Sequence, residues 1–171
     1  MAELINRVAN SGLITLNLEH DFPIDEIDVF DVKDYLFHGL ILKEKDFRIA
    51  LKEYDWEQHN QHHLCVICSA DAIIPQWAYM LIAAKATPVV SSIYYGSKDS
   101  FLTSYYKTII DNRDYSEYDG KRIVIKGCSD KPVPESAYMY LTAALQPFAQ
   151  SIMYGEPCST VPVFKRPRKI V

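Results

Sequence analysis

Three features of this 171-residue sequence predict an α/β fold with a mainly parallel sheet and helices on both faces. Short apolar runs of strand length alternate with stretches of helical length. Prolines punctuate the helical stretches at matching places. One strand–helix–strand unit also occurs twice, in degenerate form.

The repeated units occupy 64–96 and 122–155. With one residue dropped from the first loop, Pro75 aligns with Pro134, and Ala78-Tyr79-Met80 with Ala137-Tyr138-Met139. Ala84 then meets Ala143, Pro88 meets Pro147, Ser92-Ile93 meets Ser151-Ile152, and Tyr95-Gly96 meets Tyr154-Gly155. Each unit opens on a short apolar run, 64–67 or 122–125, with the pattern of a buried strand. Pro75 and Pro134 suit the first turn of a helix, where a missing N–H leaves nothing unsatisfied. Pro88 and Pro147 end those helices, because a residue before proline is pushed out of helical geometry. The first helix is apolar almost all round, from Trp77 to Ile82, which predicts deep burial. Strands at 89–95 and 148–154 complete two βαβ units, expected to be right-handed and parallel.

The remaining elements follow from periodicity. The stretch 13–18 alternates as a strand, and 25–42 holds one or two more. A helix is predicted over 43–54, with Phe47, Ala50, Leu51 and Tyr54 on one face, and another over 100–112. The stretch 57–63 reads as a polar connection. The expected organisation is one domain over 1–171: N-terminal strands and a helix in 1–63, repeat one at 64–96, and a connecting helix in 97–121. Repeat two at 122–155 and a Cys-Ser-containing basic tail at 156–171 complete it. Rich in proline and charge, that tail is expected to be extended or mobile.

Composition narrows the function classes. A net charge of −4 gives no bulk attraction to nucleic acid, so no nucleic-acid partner is expected. No apolar run reaches the roughly 18 residues of a membrane span, and the N-terminus lacks a secretory pattern, so a cytoplasmic protein is expected. Four cysteines in a chain of this length do not make a disulfide framework, which leaves them free, ligating or catalytic.

Cys-Ser occurs three times, at Cys68-Ser69, Cys128-Ser129 and Cys158-Ser159. In an open parallel sheet ligands bind beyond the carboxyl ends of the strands, where the first two pairs fall. A helix N-terminus lowers a thiol pKa and attracts anions. One reading therefore makes Cys68, Cys128 and Cys158 ligands of zinc or an iron–sulfur cluster, with Ser69, Ser129 and Ser159 lining a ligand site. Its layout is similar to three-lobed iron–sulfur enzymes such as quinolinate synthase. The plainer reading is that small Cys-Ser pairs pack in tight loops. A phosphate or sugar-phosphate site at the same edge is a third. Asp71 is the catalytic carboxylate candidate, or else a helix cap. Cys65 reads as core, because three residues from Cys68 on a strand it faces the other way. His59, His62 and His63 read as part of a solvated connection, and Asp31 and Asp34 as turn residues. Strand edges and a tyrosine-rich surface point to a homodimer.

From Ser11 to Arg166 the chain resembles a bacterial family known as domain of unknown function 2480. The likeness rests on Ser-Gly-Leu-Ile-Thr-Leu at 11–16, Phe-Asp-Val-Lys-Asp at 30–34 and Gly-Leu-Ile-Leu-Lys-Glu-Lys-Asp-Phe-Arg at 39–48. It continues in Cys-Ser-Ala-Asp-Ala-Ile-Ile-Pro at 68–75, Lys-Gly-Cys-Ser at 126–129 and Ser-Ile-Met-Tyr-Gly-Glu-Pro-Cys-Ser-Thr-Val-Pro at 151–162. The resemblance implies no established activity; Cys68, Cys128 and Cys158 lie within it. The stretch 39–84 also looks like the strand–helix alternation of STAS regulatory domains. That likeness sets a non-enzymatic binding module beside the thiol or metal site.

Overall fold

The computed structural model describes residues 12–127 and 130–167. In chain order its elements are β1 (Leu13–Leu16), β2 (Ile27–Asp31), α1 (Glu44–Glu53), β3 (His63–Ile67), α2 (Gln76–Ala86), β4 (Ser92–Tyr95), α3 (Lys98–Asn112), β5 (Arg122–Ile125), α4 (Glu135–Leu145), β6 (Ser151–Glu156) and β7 (Ser159–Lys165). The α/β class and the parallel strands agree with the sequence. The strands, however, form two sheets where one was expected: β1-β5-β6-β7 and β2-β3-β4. The chain divides accordingly into two compact units. One is continuous, Pro23–Phe101; the other is split between Met1–Phe22 and Leu102–Val171. The βαβ rule requires the two strands of one unit to be parallel in one sheet. It does not require successive units to share that sheet.

In the continuous unit β2 runs parallel to β3, and β3 to β4, with His63 opposite both Ile27 and Ser92. Successive strand residues face opposite ways. Phe30, Leu64 and Val66 turn to one face and pack with Phe47 and Leu51 of α1 and Ala78, Ile82 and Ala86 of α2. On the other face, Phe101 in α3 packs against the rings of Tyr94 and His63, and Cys65 is fully buried.

The split unit repeats this pattern of pairings. β1 is parallel to β5 and β5 to β6, with Arg122 opposite both Leu13 and Ser151. Ile123 and Ile125 pack with Tyr106 and Ile110 of α3 and Ala137, Leu141 and Leu145 of α4. A further strand, β7, then runs antiparallel along β6. The tail expected to be extended or mobile is therefore this strand up to Lys165, with Arg166 donating to the carbonyls of Gln146 and Pro147 at the end of α4. A cation there complements the helix dipole. Pro162 hid the strand from a sequence reading, yet it is tolerated because β7 is the edge and the register shifts beside it.

The helices also depart from expectation in one respect. α2 buries only the stripe Ala78, Ile82 and Ala86, while Met80 is 70% exposed. No helix among the described residues is long and apolar enough to cross a membrane.

Candidate metal centre

A cluster of polar side chains, Asp28, His59 and His62, lies at the amino-terminal edge of the three-stranded sheet. Asp28 is the second residue of β2 and shares a face with Phe30. After α1 the chain makes a 3₁₀ turn, Trp56–His59, whose first N–H groups include that of Glu57, donated to the Asp55 side chain. It then reverses through Gln61, which takes a left-handed backbone with φ 61°. The turn is pinned by His62 N–H to the His59 carbonyl, Gln61 N–H to the Val89 carbonyl and His63 N–H to the Glu26 carbonyl. These backbone bonds bring His59 and His62 to Asp28.

Both rings meet the same carboxylate oxygen. Asp28 Oδ2 lies 2.6 Å from Nδ1 of His59 and 2.7 Å from Nδ1 of His62. With the Nδ1 proton of His59 donated to Asp28, Nε2 of the neutral ring accepts from the Tyr54 hydroxyl at 2.7 Å. The surroundings are aromatic: Phe30 stacks on Tyr35 and Trp56, and Tyr54 meets Trp56 edge-on. Trp56 is itself held by its indole N–H to the Leu51 carbonyl. His59 is buried, whereas the side chain of His62 is 27% exposed, so the cluster runs from a dry side to a wet one.

The electrostatics match this gradient. Burial alone would raise the Asp28 carboxyl, but the hydrogen bonds from His59 and His62 more than offset it and hold the group below the ordinary carboxylate range. The hydrogen bond to Asp28, supported by the Glu26 and Asp25 charges, pushes the His62 imidazole up. Among the described residues, Asp28, His59 and His62 are the group of three whose ligand atoms all lie within 4.8 Å of one another. Two imidazole nitrogens and a carboxylate oxygen suit zinc or another borderline divalent metal. Tetrahedral ligands about 2.1 Å from zinc sit about 3.4 Å apart, so each Nδ1–Oδ2 gap would have to open by about 0.8 Å. On giving up its Nδ1 proton, His59 would donate Nε2–H to Tyr54, the outer-shell contact that orients a ligating histidine.

A family model described as "Protein of unknown function (DUF2480)" matches residues 2–166. The chain belongs to the DUF2480 family. No curated protein and no solved structure matches it.

The other sites read from the sequence of this DUF2480 protein are spread apart along the chain. Cys68 and Ser69 follow β3 at the carboxyl edge of the three-stranded sheet; the Cys68 thiol points to the Ala70 carbonyl at 3.6 Å. The Ser69 N–H is donated to Asp31, which also accepts from the Lys33 N–H, so Asp31 ties this loop to the end of β2. Asp71 is exposed in the same loop. Cys158 is exposed in the turn joining β6 to β7 of the four-stranded sheet, and Ser159 begins β7. Cys128 and Ser129 lie outside the described residues. Among the described residues no metal-ligating group of three contains a cysteine. Cys68 follows Ile67 directly, whereas Lys126 and Gly127 separate Ile125 from Cys128. Judged by strand register, the two cysteines are thus out of step by one residue.

Sequence reasoning missed the histidines. The polar stretch 57–63 was expected to be solvated, yet His59 is 6% exposed and bonded on both ring nitrogens. The available signal was the His-x-x-His spacing across a turn beside a strand with an aspartate on its buried face. His63 stands apart from the cluster, its Nδ1 2.8 Å from Ser92 Oγ.

Proposed function

We propose that the continuous unit binds one divalent transition metal, zinc being the best match, through Asp28 Oδ2 and Nδ1 of His59 and His62. The observation that carries this is the convergence of two imidazole nitrogens on one carboxylate oxygen at a boundary between aromatic core and water. Three protein ligands leave a fourth position, on the His62 side, for a water molecule. Zinc brings such a water to a pKa of about 7, so metal-assisted hydrolysis is the reaction class this donor set serves. Elemental analysis of protein purified without chelator, with calorimetric titration of zinc into the stripped protein, tests the reading. One equivalent bound by the wild type and none by Asp28→Asn is the expected result. Binding that survives Asp28→Asn refutes it.

A second reading is favoured by the 2.7 Å contact of His62 Nδ1 with Asp28 and the partial exposure of the ring: Asp28 orients His62 as a metal-free general base. Its mark is activity or ligand binding that chelator leaves intact but His62→Ala removes. Ligation by Cys68, Cys128 and Cys158 is a separate proposal, supported by the three Cys-Ser pairs alone. Thiol labelling with and without chelator tests it. The expectation of no nucleic-acid partner is supported by the net charge of −4. Descent of both strand–helix–strand units from one ancestor is supported by their matched registers.

A further inference from the structure

The outer side of α2 and the free side of β4 form one apolar surface. A groove of about 360 Å³ lies between them, lined by Val66, Tyr79, Met80, Ala83, Ile93 and Tyr95. Met80 is 70% and Tyr95 72% exposed. β4 is last in the order β2-β3-β4, so among the described residues no strand pairs with its other side. Its four residues, Ser-Ile-Tyr-Tyr, include no proline and no charge, the devices by which a strand edge is usually protected. A helix apolar on nearly every side needs cover on more than one of them.

The split unit shows what covers the same place there. Its counterpart groove lies between α4 and β6 and is lined by Tyr138, Met139, Met153, Tyr154, Val163 and Phe164. The tyrosine pairs match: Tyr79 meets Tyr95 edge-on at 5.2 Å, and Tyr138 meets Tyr154 edge-on at 5.9 Å. In that unit β7 runs antiparallel along β6, placing Phe164 opposite Ile152 and packing it on the core. In the continuous unit the chain passes from β4 through Gly96 straight into α3, so no strand of its own follows.

We infer that a second copy of this chain covers the groove, its β4 lying antiparallel to this β4 about a two-fold axis. The geometry accepted at β6 is an antiparallel neighbour. A two-fold axis makes β4 its own antiparallel neighbour, with no further segment required. The residues lining the groove carry no charge, so two copies meet without like-charge repulsion. Tyrosine and methionine are the side chains enriched where such surfaces close. A foreign peptide is the competing occupant, and its presence would leave the isolated chain monomeric.

Light scattering on the full chain at micromolar concentration, after size exclusion, tests this. The expected mass is twice the 19.6 kDa of the chain. Met80→Glu and Tyr95→Lys, made separately, should each halve it with the circular dichroism spectrum unchanged. Hydrogen exchange of the wild type needs no variant: amide protection in β4 should rise with protein concentration. A monomeric wild type overturns the inference. So does a dimer that both folded variants retain, or β4 protection that is independent of concentration.

Discussion

The two units build the same turn and furnish it differently. In the split unit Gly120 donates to the Phe148 carbonyl and Lys121 to the Tyr118 carbonyl; in the continuous unit Gln61 donates to Val89 and His62 to His59. Strand register places Ile14 where the other unit has Asp28. Tyr118 and Lys121 thus stand at the places of His59 and His62, and the backbone is held alike in both. The comparison teaches that the turn is a feature of the frame and that the Asp-His-His cluster is an addition to one copy of it. A site of this kind is argued from its residues, not from its fold.

Giving the continuous unit the split unit's residues should have the largest effect. Asp28→Ile, His59→Tyr and His62→Lys together should abolish zinc binding in calorimetry while circular dichroism stays native, because the split unit accommodates those side chains on the same turn. Unfolding of the triple variant would show that the turns are not equivalent. Removing one ligand is milder. His62→Ala should weaken zinc by at least about a hundredfold, the upper end of what losing an outer-shell partner costs. His59→Ala should lower the stability of the metal-free protein by about 2–3 kcal/mol in urea titration, since it strips hydrogen bonds from Asp28 and Tyr54 at a buried position.

Protonation separates the units less strongly. In metal-free protein the Asp28 carboxyl is held below its ordinary value of 3.8, so its contribution is present above that pH and is lost as pH falls through the folded value. The His62 imidazole lies above its ordinary value of 6.5, so its contribution is present below 6.5 and is lost as pH rises through the folded value. Melting temperature should therefore hold a plateau between these limits, and His62→Ala should erase the upper decline. A wild-type profile flat from pH 6 to 9 would contradict the His62–Asp28 bond.

The smallest effect concerns the turn itself. Gln61 has φ 61° where Gly120 has φ 67°. A side chain in left-handed backbone costs of order 1 kcal/mol, so Gln61→Gly should stabilise slightly and Gly120→Ala should destabilise by about 1 kcal/mol. Nothing lies within 4 Å of a Cβ added at Gly120, so the backbone alone sets that effect.

Much of the fold was legible because it rests on local signals. The prolines at 75, 88, 134 and 147 bracket α2 and α4, and apolar runs mark β3 and β5. What was not legible depends on pairing between distant residues. Asp28 and His59 are 31 residues apart in sequence, and only the parallel register of β2 and β3 brings them together. Without that register, histidines among glutamine and asparagine read as solvent-facing. The division into two sheets was hidden for the same reason: which early strand joins β5 is a choice that a strand pattern does not encode. β7 was hidden by Pro162, a local signal that edge position overrides. The exposed side of α2 is different again: apolarity all round the helix pointed to deep burial, yet only the stripe Ala78, Ile82 and Ala86 is buried and Met80 is exposed.

The interruption of the split unit has a consequence in time. β1 pairs with β5, Leu13 opposite Arg122, and the whole continuous unit is encoded between them. At about 5–20 residues per second of synthesis, β1 leaves the ribosome roughly 5–20 s before its partner strand exists. The continuous unit has all its strands available within that interval and β1 has none. During translation, then, β1 waits for β5, and a chaperone that holds short apolar segments would find it there.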